Sequence, residues 1–366
     1  MITKEIKITN YRNIDFQRIV FDPKFNALVG SNGMGKTNIL DAIYCTCLGK
    51  SYFSTTDKVV IRQEQDFYRL ETVFCKNEDQ KVVIKNPLAG RKEIEIDGVK
   101  LPKLGDHVGN FLCVVIAPID IQTMLEGSEE RRNFLNNTLV QMDRAYLEDL
   151  LLYNNLLKQR NALLKTFLDR GNYNPTLLEV ISERMFKPAK HIYEKRYNLV
   201  SEMSTVFMKH YEEISGGNED CQIIYKSTLQ DKTMAELLAA NVDKDRIMGR
   251  TMDGVHKDDL LFLMNDDVLK NYASQGQLKS FVIALKLTQY QLMVNKTGTK
   301  PILILDDLFD KLDMTRSSQL MSLLQNEAYG QVFISDTQER RIRSILETID
   351  CSFAIFEIGN GNIIKV

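Results

Sequence analysis

The chain has 366 residues, 44% of them hydrophobic and 26% charged, with a formal net charge of −2 and a pI near 6.2. Such a composition fits a folded globular protein of two domains, or one domain with a large insertion, and excludes disordered, collagenous and disulfide-scaffold classes. The slightly acidic balance also lacks the basic footprint usual for a nucleic-acid-binding domain, so composition alone leaves DNA undecided.

The opening residues, Met1-Ile2-Thr3-Lys4-Glu5, are charged and lack the apolar core of a signal peptide. No apolar run approaches the roughly 20 residues of a membrane span, so a cytoplasmic protein with no membrane association is expected. Ile6 and Ile8 alternate with polar residues, and Asn10-Tyr11-Arg12-Asn13 turns into residues 14–21, the pattern of a hairpin. Phe25-Asn26-Ala27-Leu28-Val29 then reads as a short buried strand. It runs into Gly30-Ser31-Asn32-Gly33-Met34-Gly35-Lys36-Thr37, which has the Gly-x4-Gly-Lys-Thr spacing of a phosphate-binding loop. Glycines let successive backbone N–H groups point inward as a nest for a polyphosphate, and the helix that follows adds its positive end. Lys36 is placed to reach the β- and γ-phosphates, and the Thr37 hydroxyl to ligate Mg²⁺. Chance alone gives the pattern in roughly one chain in a hundred of this length. Helical spacing of Ile39, Leu40 and Ile43 after the loop lowers that further. Cys45-x-Cys47 falls on this apolar helix; the six cysteines have neither zinc nor disulfide spacing and read as reduced, buried thiols.

Short strands are expected at 68–74, 81–84 and 92–96, separated by turns at Asn77-Glu78-Asp79, Asn86-Pro87 and Asp97-Gly98. They form an antiparallel region beside the nucleotide site. Residues 111–117 read as a buried strand closed by Pro118. The character changes near Gly127. Ser128 is a helix N-cap, with Glu129 and Glu130 suited to the first turn. Apolar residues then recur in steps of three and four through Leu135, Leu139, Met142, Tyr146, Leu150, Tyr153 and Leu157, until Gly171-Asn172-Tyr173-Asn174-Pro175. Thr176 with Glu179 reads as the capping box of a second helix, kinked at Pro188 and ending at Gly216-Gly217. An antiparallel helical hairpin is the simplest arrangement, and a compact helical bundle is the alternative. Arg131 and Arg132 are the candidate DNA contacts, although solvated helix faces also explain such clusters.

A short strand at 222–225 and a helix at 233–241 lead to Asp253-Gly254-Val255-His256-Lys257-Asp258-Asp259. Ser274-Gln275-Gly276-Gln277 opens a long amphipathic helix. Pro301-Ile302-Leu303-Ile304-Leu305-Asp306-Asp307 is a buried strand ending in two carboxylates, at the place where an α/β sheet presents its ligand groups. Asp306 suits Mg²⁺, and Asp307 suits orienting or deprotonating an attacking water, so Lys36 and Asp307 are the candidate catalytic residues. Turns favour Asp, so the pair gains its meaning from the upstream phosphate loop. Leu312-Asp313 comes next, then a helix, a strand at Val332-Phe333-Ile334-Ser335, and a tail hairpin turning at Gly359-Asn360-Gly361-Asn362. Asn295-Lys296-Thr297-Gly298 lacks the carboxylate that reads guanine, which points to adenine; Gly298 serves as a helix cap.

With the phosphate loop early, Ser-Gln-Gly-Gln and the acidic strand late, and a helical insertion between them, the chain resembles the ABC-type ATPase heads of the SMC class. Finer residues resemble the RecF family of recombination mediators over almost the whole length. They include Asn10-Tyr11-Arg12-Asn13, Gly33 to Leu40, Gly49-Lys50-Ser51-Tyr52, Ala117-Pro118-Ile119-Asp120 and Gly127 to Leu135. His256-Lys257-Asp258-Asp259, Ala273 to Gln277, and Leu305-Asp306-Asp307-Leu308-Phe309 with Leu312-Asp313 complete the set. Ser-Gln-Gly-Gln also separates the chain from transporters, which usually carry Ser-Gly-Gly-Gln. The chain departs from the family pattern at Asp41 (usually Glu), Glu129 and Val255 (usually Pro) and Lys257 (usually Arg).

The resemblance implies an α/β fold: an ABC/SMC-type ATPase head from residues 1–124 and 249–366, interrupted at 125–248 by a helical, antiparallel coiled-coil-like arm. It implies ATP at Gly30, Ser31, Asn32, Gly33, Met34, Gly35, Lys36 and Thr37, with Mg²⁺ on Thr37 and Asp306. Ser274, Gln275, Gly276 and Gln277 of one protomer would cap the γ-phosphate held by the other. ATP then joins a head-to-head homodimer, and slow hydrolysis releases it. DNA at junctions of single and double strands or at gaps is the implied ligand, and RecO and RecR are the implied partners in loading recombinase. A transporter-type ATPase subunit and a non-hydrolysing nucleotide-bound scaffold are the alternatives. The first is disfavoured because Asp336 and Thr337 stand where a transporter carries its switch histidine.

Overall fold

Phe25–Val29 is buried at all five positions, so it needs a sheet covered on both faces. It lies between Val332–Asp336 and Phe353–Gly359, parallel to both. The sheet has six strands and continues from Val332–Asp336 through Ile302–Leu305 to Cys113–Ile116, again parallel. Asn362–Lys365 closes the other edge as an antiparallel partner of Phe353–Gly359. A second six-stranded sheet is antiparallel, in the order Ile14–Val20, Ile2–Tyr11, Phe67–Cys75, Asp79–Pro87, Glu93–Ile96 and Val99–Lys100.

The helix Lys36–Leu48 is buried at nearly every position, as a helix that is apolar all round must be. Its Leu40, Ala42 and Ile43 share one core with Ile6, Ile8 and Leu70 of the antiparallel sheet and with Val115, Ile304 and Phe333 of the parallel one. Gln331 seals the beginning of the chain to its end: its side chain accepts from the Thr3 N–H (2.6 Å) and donates to the carbonyls of Thr3 and Asp22.

The structure, a computed structural model, describes residues 1–366 except 171–173, 217–218, 310–313, 349–350 and 360–361. The expected stop at Gly171-Asn172-Tyr173, the Gly217 helix end, Leu312-Asp313 and the Asn360-Gly361 turn lie outside the described residues. Among the described residues, no helix is long and apolar enough to cross a membrane. The chain divides into a first unit of Met1–Gln122, Lys209–Gly217 and Gln275–Val366, and a second of Thr123–Met208 and Asn218–Ser274. The insertion thus runs to 274 rather than 248, because Asp259–Met264 pairs along its length with Cys221–Lys226. The last turns of the long helix belong to the first unit, where Tyr211 packs edge-on against Phe281.

Within the second unit, the helix expected from 128 to 168 is two, Ser128–Met142 and Arg144–Arg170. Asp143 breaks it with extended backbone, and its carboxylate accepts from the Tyr146 N–H. The next helix, Pro175–Ser215, begins with Pro at its first position and Asn174 as cap, not with a Thr176 box, and runs continuously through Pro188. Arg160 meets Ser182, Asp149 meets His191 and Tyr146 meets Arg196, so these two long helices lie antiparallel. Pro118 opens a helix, Pro118–Glu126, instead of merely ending a strand.

The His256-Lys257-Asp258-Asp259 segment is the polar core of this unit. Asp258 accepts from Arg196 (2.6 Å) and from the Tyr225 hydroxyl (2.5 Å). His256 accepts from the Tyr153 hydroxyl at Nδ1 (2.7 Å) and donates from Nε2 to the Thr251 carbonyl (3.1 Å). Gly254, at φ 132°, leaves room for that contact, since a Cβ there would lie 2.7 Å from the Tyr153 hydroxyl. Burial pushes the His256 imidazolium down to a pKa of about 4. The unfolded chain then binds more protons than the fold between about pH 6.5 and 4, so stability falls as pH drops through that window. Melting curves should show this slope in the wild type and a shallower one in His256→Gln. Equal slopes would assign the acid sensitivity to another group.

Candidate functional site

The loop after Phe25–Val29 bends where only glycine fits: Gly30 has φ 148°, and a Cβ on it would stand 2.3 Å from the Ile358 carbonyl oxygen. Gly35 precedes the helix Lys36–Leu48 and offers no side-chain cap, which leaves first-turn N–H groups facing the loop for an anion. The Lys36 ammonium, almost fully buried, donates to the carbonyls of Gly30 (2.8 Å) and Ser31 (3.2 Å). It is thereby held over the loop.

The carboxylates arrive from the other end of the chain. Thr37 Oγ1 donates to Asp306, lying 3.0 and 3.1 Å from its two oxygens across 269 residues of sequence. The Ser335 hydroxyl donates to Asp306 Oδ1 (2.7 Å), and the Asp307 N–H donates to Ser335 Oγ (2.7 Å). Asp307 sits at φ 43°, a strained position for a residue with a side chain and common at functional sites. Burial raises the Asp306 pKa, and the Asp307 charge adds to the rise; the Ser335 and Thr37 hydroxyls and Lys36 oppose it. A buried carboxylate converging with a hydroxyl beside a phosphate loop fits Mg²⁺, which takes one or two carboxylates plus substrate phosphates. Among the described residues no group of three or more acidic, His or Cys side chains is placed to hold a metal ion by itself.

A second buried carboxylate supports the loop helix from behind. Asp41 has no exposed surface and accepts from the Tyr11 hydroxyl (2.9 Å), Arg12 Nη2 (3.0 Å), Ser51 Oγ (2.7 Å) and the Tyr52 N–H (2.7 Å). The Tyr52 hydroxyl bonds Asp120, and Lys286, in the middle of the helix Gln275–Thr297, reaches both Tyr52 (3.0 Å) and Asp120 (3.2 Å). Sequence reasoning singled out the stretches containing Tyr11, Ser51 and Asp120 but not their convergence. Lys286 carried no signal beyond being a charge within an apolar helix.

Ser274 and Gln275 are exposed at the start of Gln275–Thr297, with Gly276 and Gln277 half-buried in its first turn. The candidate DNA contacts are engaged within the chain: Arg131, 13% exposed in its side chain, makes a two-pronged bond to Asp259 (2.7 and 3.0 Å), and Arg132 donates to the Asp258 carbonyl (2.9 Å). The pair clamps a helix to the strand Asp259–Met264. Asp336, in the place of a switch histidine, is turned into a two-pronged bond with Arg341.

Comparison with known proteins agrees with this geometry. The RecF/RecN/SMC N-terminal domain family matches residues 2–355. DNA replication and repair protein RecF of Flavobacterium johnsoniae is 37% identical over 359 residues, spanning 98% of this chain and 100% of that one. RecF of Azobacteroides pseudotrichonymphae is 37% identical over 368 residues, spanning 100% of both. Among solved structures, the recombination mediator protein RecF-ATPrS in the RecFOR pathway superposes with a TM-score of 0.89 at 28% identity, over 100% of this chain and 98% of that one. An SMC head bound to the C-terminal winged-helix domain of ScpA gives 0.58 at 12% identity, over 100% and 98%, a likeness of fold alone.

Replacing Asp41 by Asn removes the charge that four side chains and backbone groups face, and should cost about 3 kcal/mol of stability, as for a broken buried pair. Urea unfolding measures it; a loss below about 1 kcal/mol would show that the site relaxes around the amide.

Proposed function

The chain belongs to the RecF family, and from that premise we propose that it is an ATP-switched DNA-repair protein. Two copies close over two ATP molecules at DNA and part after slow hydrolysis. The observation that carries the reading is the meeting of Thr37, Asp306, Ser335 and Asp307 beside the Gly30–Thr37 loop.

In this reading Lys36 gives up the Gly30 and Ser31 carbonyls for β- and γ-phosphate oxygens. Thr37 and Asp306 hold Mg²⁺, which when bound neutralises charge developing on the phosphates. Asp307 orients the attacking water and accepts its proton. The signature, Ser274, Gln275, Gly276 and Gln277, stands at the positive N-terminal end of a long helix, which a third phosphate would complement. ATP therefore favours the closed pair where ADP does not. Exposure of Ser274 and Gln275 supports their use by a second copy. Asp336, committed to Arg341, leaves the transporter reading without its switch residue. Relatives named for DNA replication and repair, and solved relatives named for ATP and the RecFOR pathway, support DNA as ligand and RecO and RecR as partners. Binding at single–double-strand junctions or gaps and the loading of recombinase are what the family resemblance adds to this reading.

Light scattering with a non-cleavable ATP analogue and gapped duplex should show a dimer for the wild type and monomers for Lys36→Met and Ser274→Arg. A Ser274→Arg dimer would overturn the trans arrangement. Asp307→Asn should slow phosphate release by about 10²-fold, the scale of a general base, and leave the dimer trapped; an unchanged rate removes that role from Asp307. Binding to gapped duplex should weaken linearly in log affinity against log salt if phosphates are contacted.

A further inference from the structure

We propose that Ser335 is the positioning residue of the hydrolytic centre, holding Asp307 in its working conformation in place of a switch histidine; this rests on the ATPase reading above. Three bonding partners surround one hydroxyl. Ser335 Oγ accepts the Asp307 N–H at 2.7 Å, donates to Asp306 Oδ1 at 2.7 Å, and lies 3.3 Å from Asp307 Oδ1. The side chain is fully buried and sits on Val332–Asp336, the strand beside Ile302–Leu305, with Leu305 opposite Ile334. Its place is therefore set by sheet register, and the two carboxylates are set by it.

The bond to the Asp307 N–H falls at the residue whose backbone is strained, at φ 43°. Without that acceptor, the strained peptide loses its anchor and the carboxylate its direction. The neighbouring residue cannot take over. Asp336 has a fully buried carboxylate bonded to Arg341 Nη2 at 2.7 and 2.8 Å and to the Gln338 N–H at 2.7 Å, so it is spoken for on a different side.

A hydroxyl has one hydrogen to give. With no cation on Asp306, the shorter distance assigns that hydrogen to Asp306 and leaves Asp307 Oδ1 with a weak contact. Thr37 likewise gives its hydrogen to Asp306. Once Asp306 turns its charge to a cation, the Ser335 hydrogen is released to Asp307 Oδ1 and fixes that carboxylate. Ser335 thus links metal occupancy to the aim of the water-orienting group.

Ser335→Ala tests this in the full-length protein, with melting temperature reporting the fold and Ser335→Cys, a near-isosteric weak donor, as second variant. The expected result is a fall in kcat of about 10²-fold, the scale of a misplaced catalytic group, with KM for ATP held within about threefold. Independently of turnover, the Mg²⁺ concentration that half-saturates binding of a fluorescent ATP analogue should fall, because the lost hydrogen competed with the cation for Asp306. Ser335→Thr, which restores the hydroxyl, should recover the rate to within about fivefold. Wild-type turnover in Ser335→Ala overturns the proposal. So does a rate loss matched by rises in KM and in the Mg²⁺ requirement, the mark of general damage. Should the wild type release no more phosphate than Lys36→Met, the ATPase reading fails by itself. The Mg²⁺ arm still decides: a lower requirement supports the linkage, and an unchanged or higher one refutes it.

Discussion

The order of strands in the parallel sheet is the constraint from which the site follows. Phe25–Val29, Val332–Asp336 and Ile302–Leu305 are neighbours, with Ser335 opposite Leu28 and Ile334 opposite Leu305. Their carboxyl ends therefore open onto one edge, where the loop glycines, the Ser335 hydroxyl and two carboxylates stand side by side. Sheet geometry of this kind brings ligand groups together at strand ends whatever their distance in sequence. It also concentrates like charge: Asp306 and Asp307 are adjacent, and burial opposes ionisation of Asp306. Two hydroxyls and the Lys36 ammonium answer that cost.

Behind the loop helix, buried charge serves to specify position. Asp41 gathers the first turn of the chain and the segment after the helix onto one carboxylate, and Asp120 with Lys286 ties the middle of the helix Gln275–Thr297 to Tyr52. A hydrophobic core of Leu, Ile and Val would allow these elements to slide; charged bonds with fixed directions do not. The helix whose first turn carries Ser274 to Gln277 is thus registered against the segment that follows the phosphate loop.

Local chemistry was legible in the sequence, and chemistry assembled by folding was not. The phosphate loop is contiguous, its glycines and lysine are needed at set spacing, and the acidic strand end has a recognisable apolar run before it. Ser335 and Lys286 could not be singled out, because a serine ending a buried strand and a lysine within an apolar helix acquire meaning from neighbours nearly 30 and over 160 residues away. The bond from Arg131 to Asp259 was hidden for the same reason, as two adjacent arginines look alike whether they face solvent or a carboxylate. Asp143 interrupted a periodicity that ran straight through it, since an extended residue bonded to Tyr146 leaves the apolar spacing unchanged.

The interleaving of the parallel sheet bears on how the chain is made. Phe25–Val29 leaves the ribosome long before its flanking strands, which begin at Val332 and Phe353. At about 5–20 residues per second, that central strand waits tens of seconds for neighbours on either side. Meanwhile Thr123–Ser274, apart from the last turns of its long helix, has most of its own contacts within itself and can fold first. Completion of this sheet is thus a late capture: two strands made long afterwards insert on either side of an apolar strand, which makes shielding of that strand during translation a requirement of this topology.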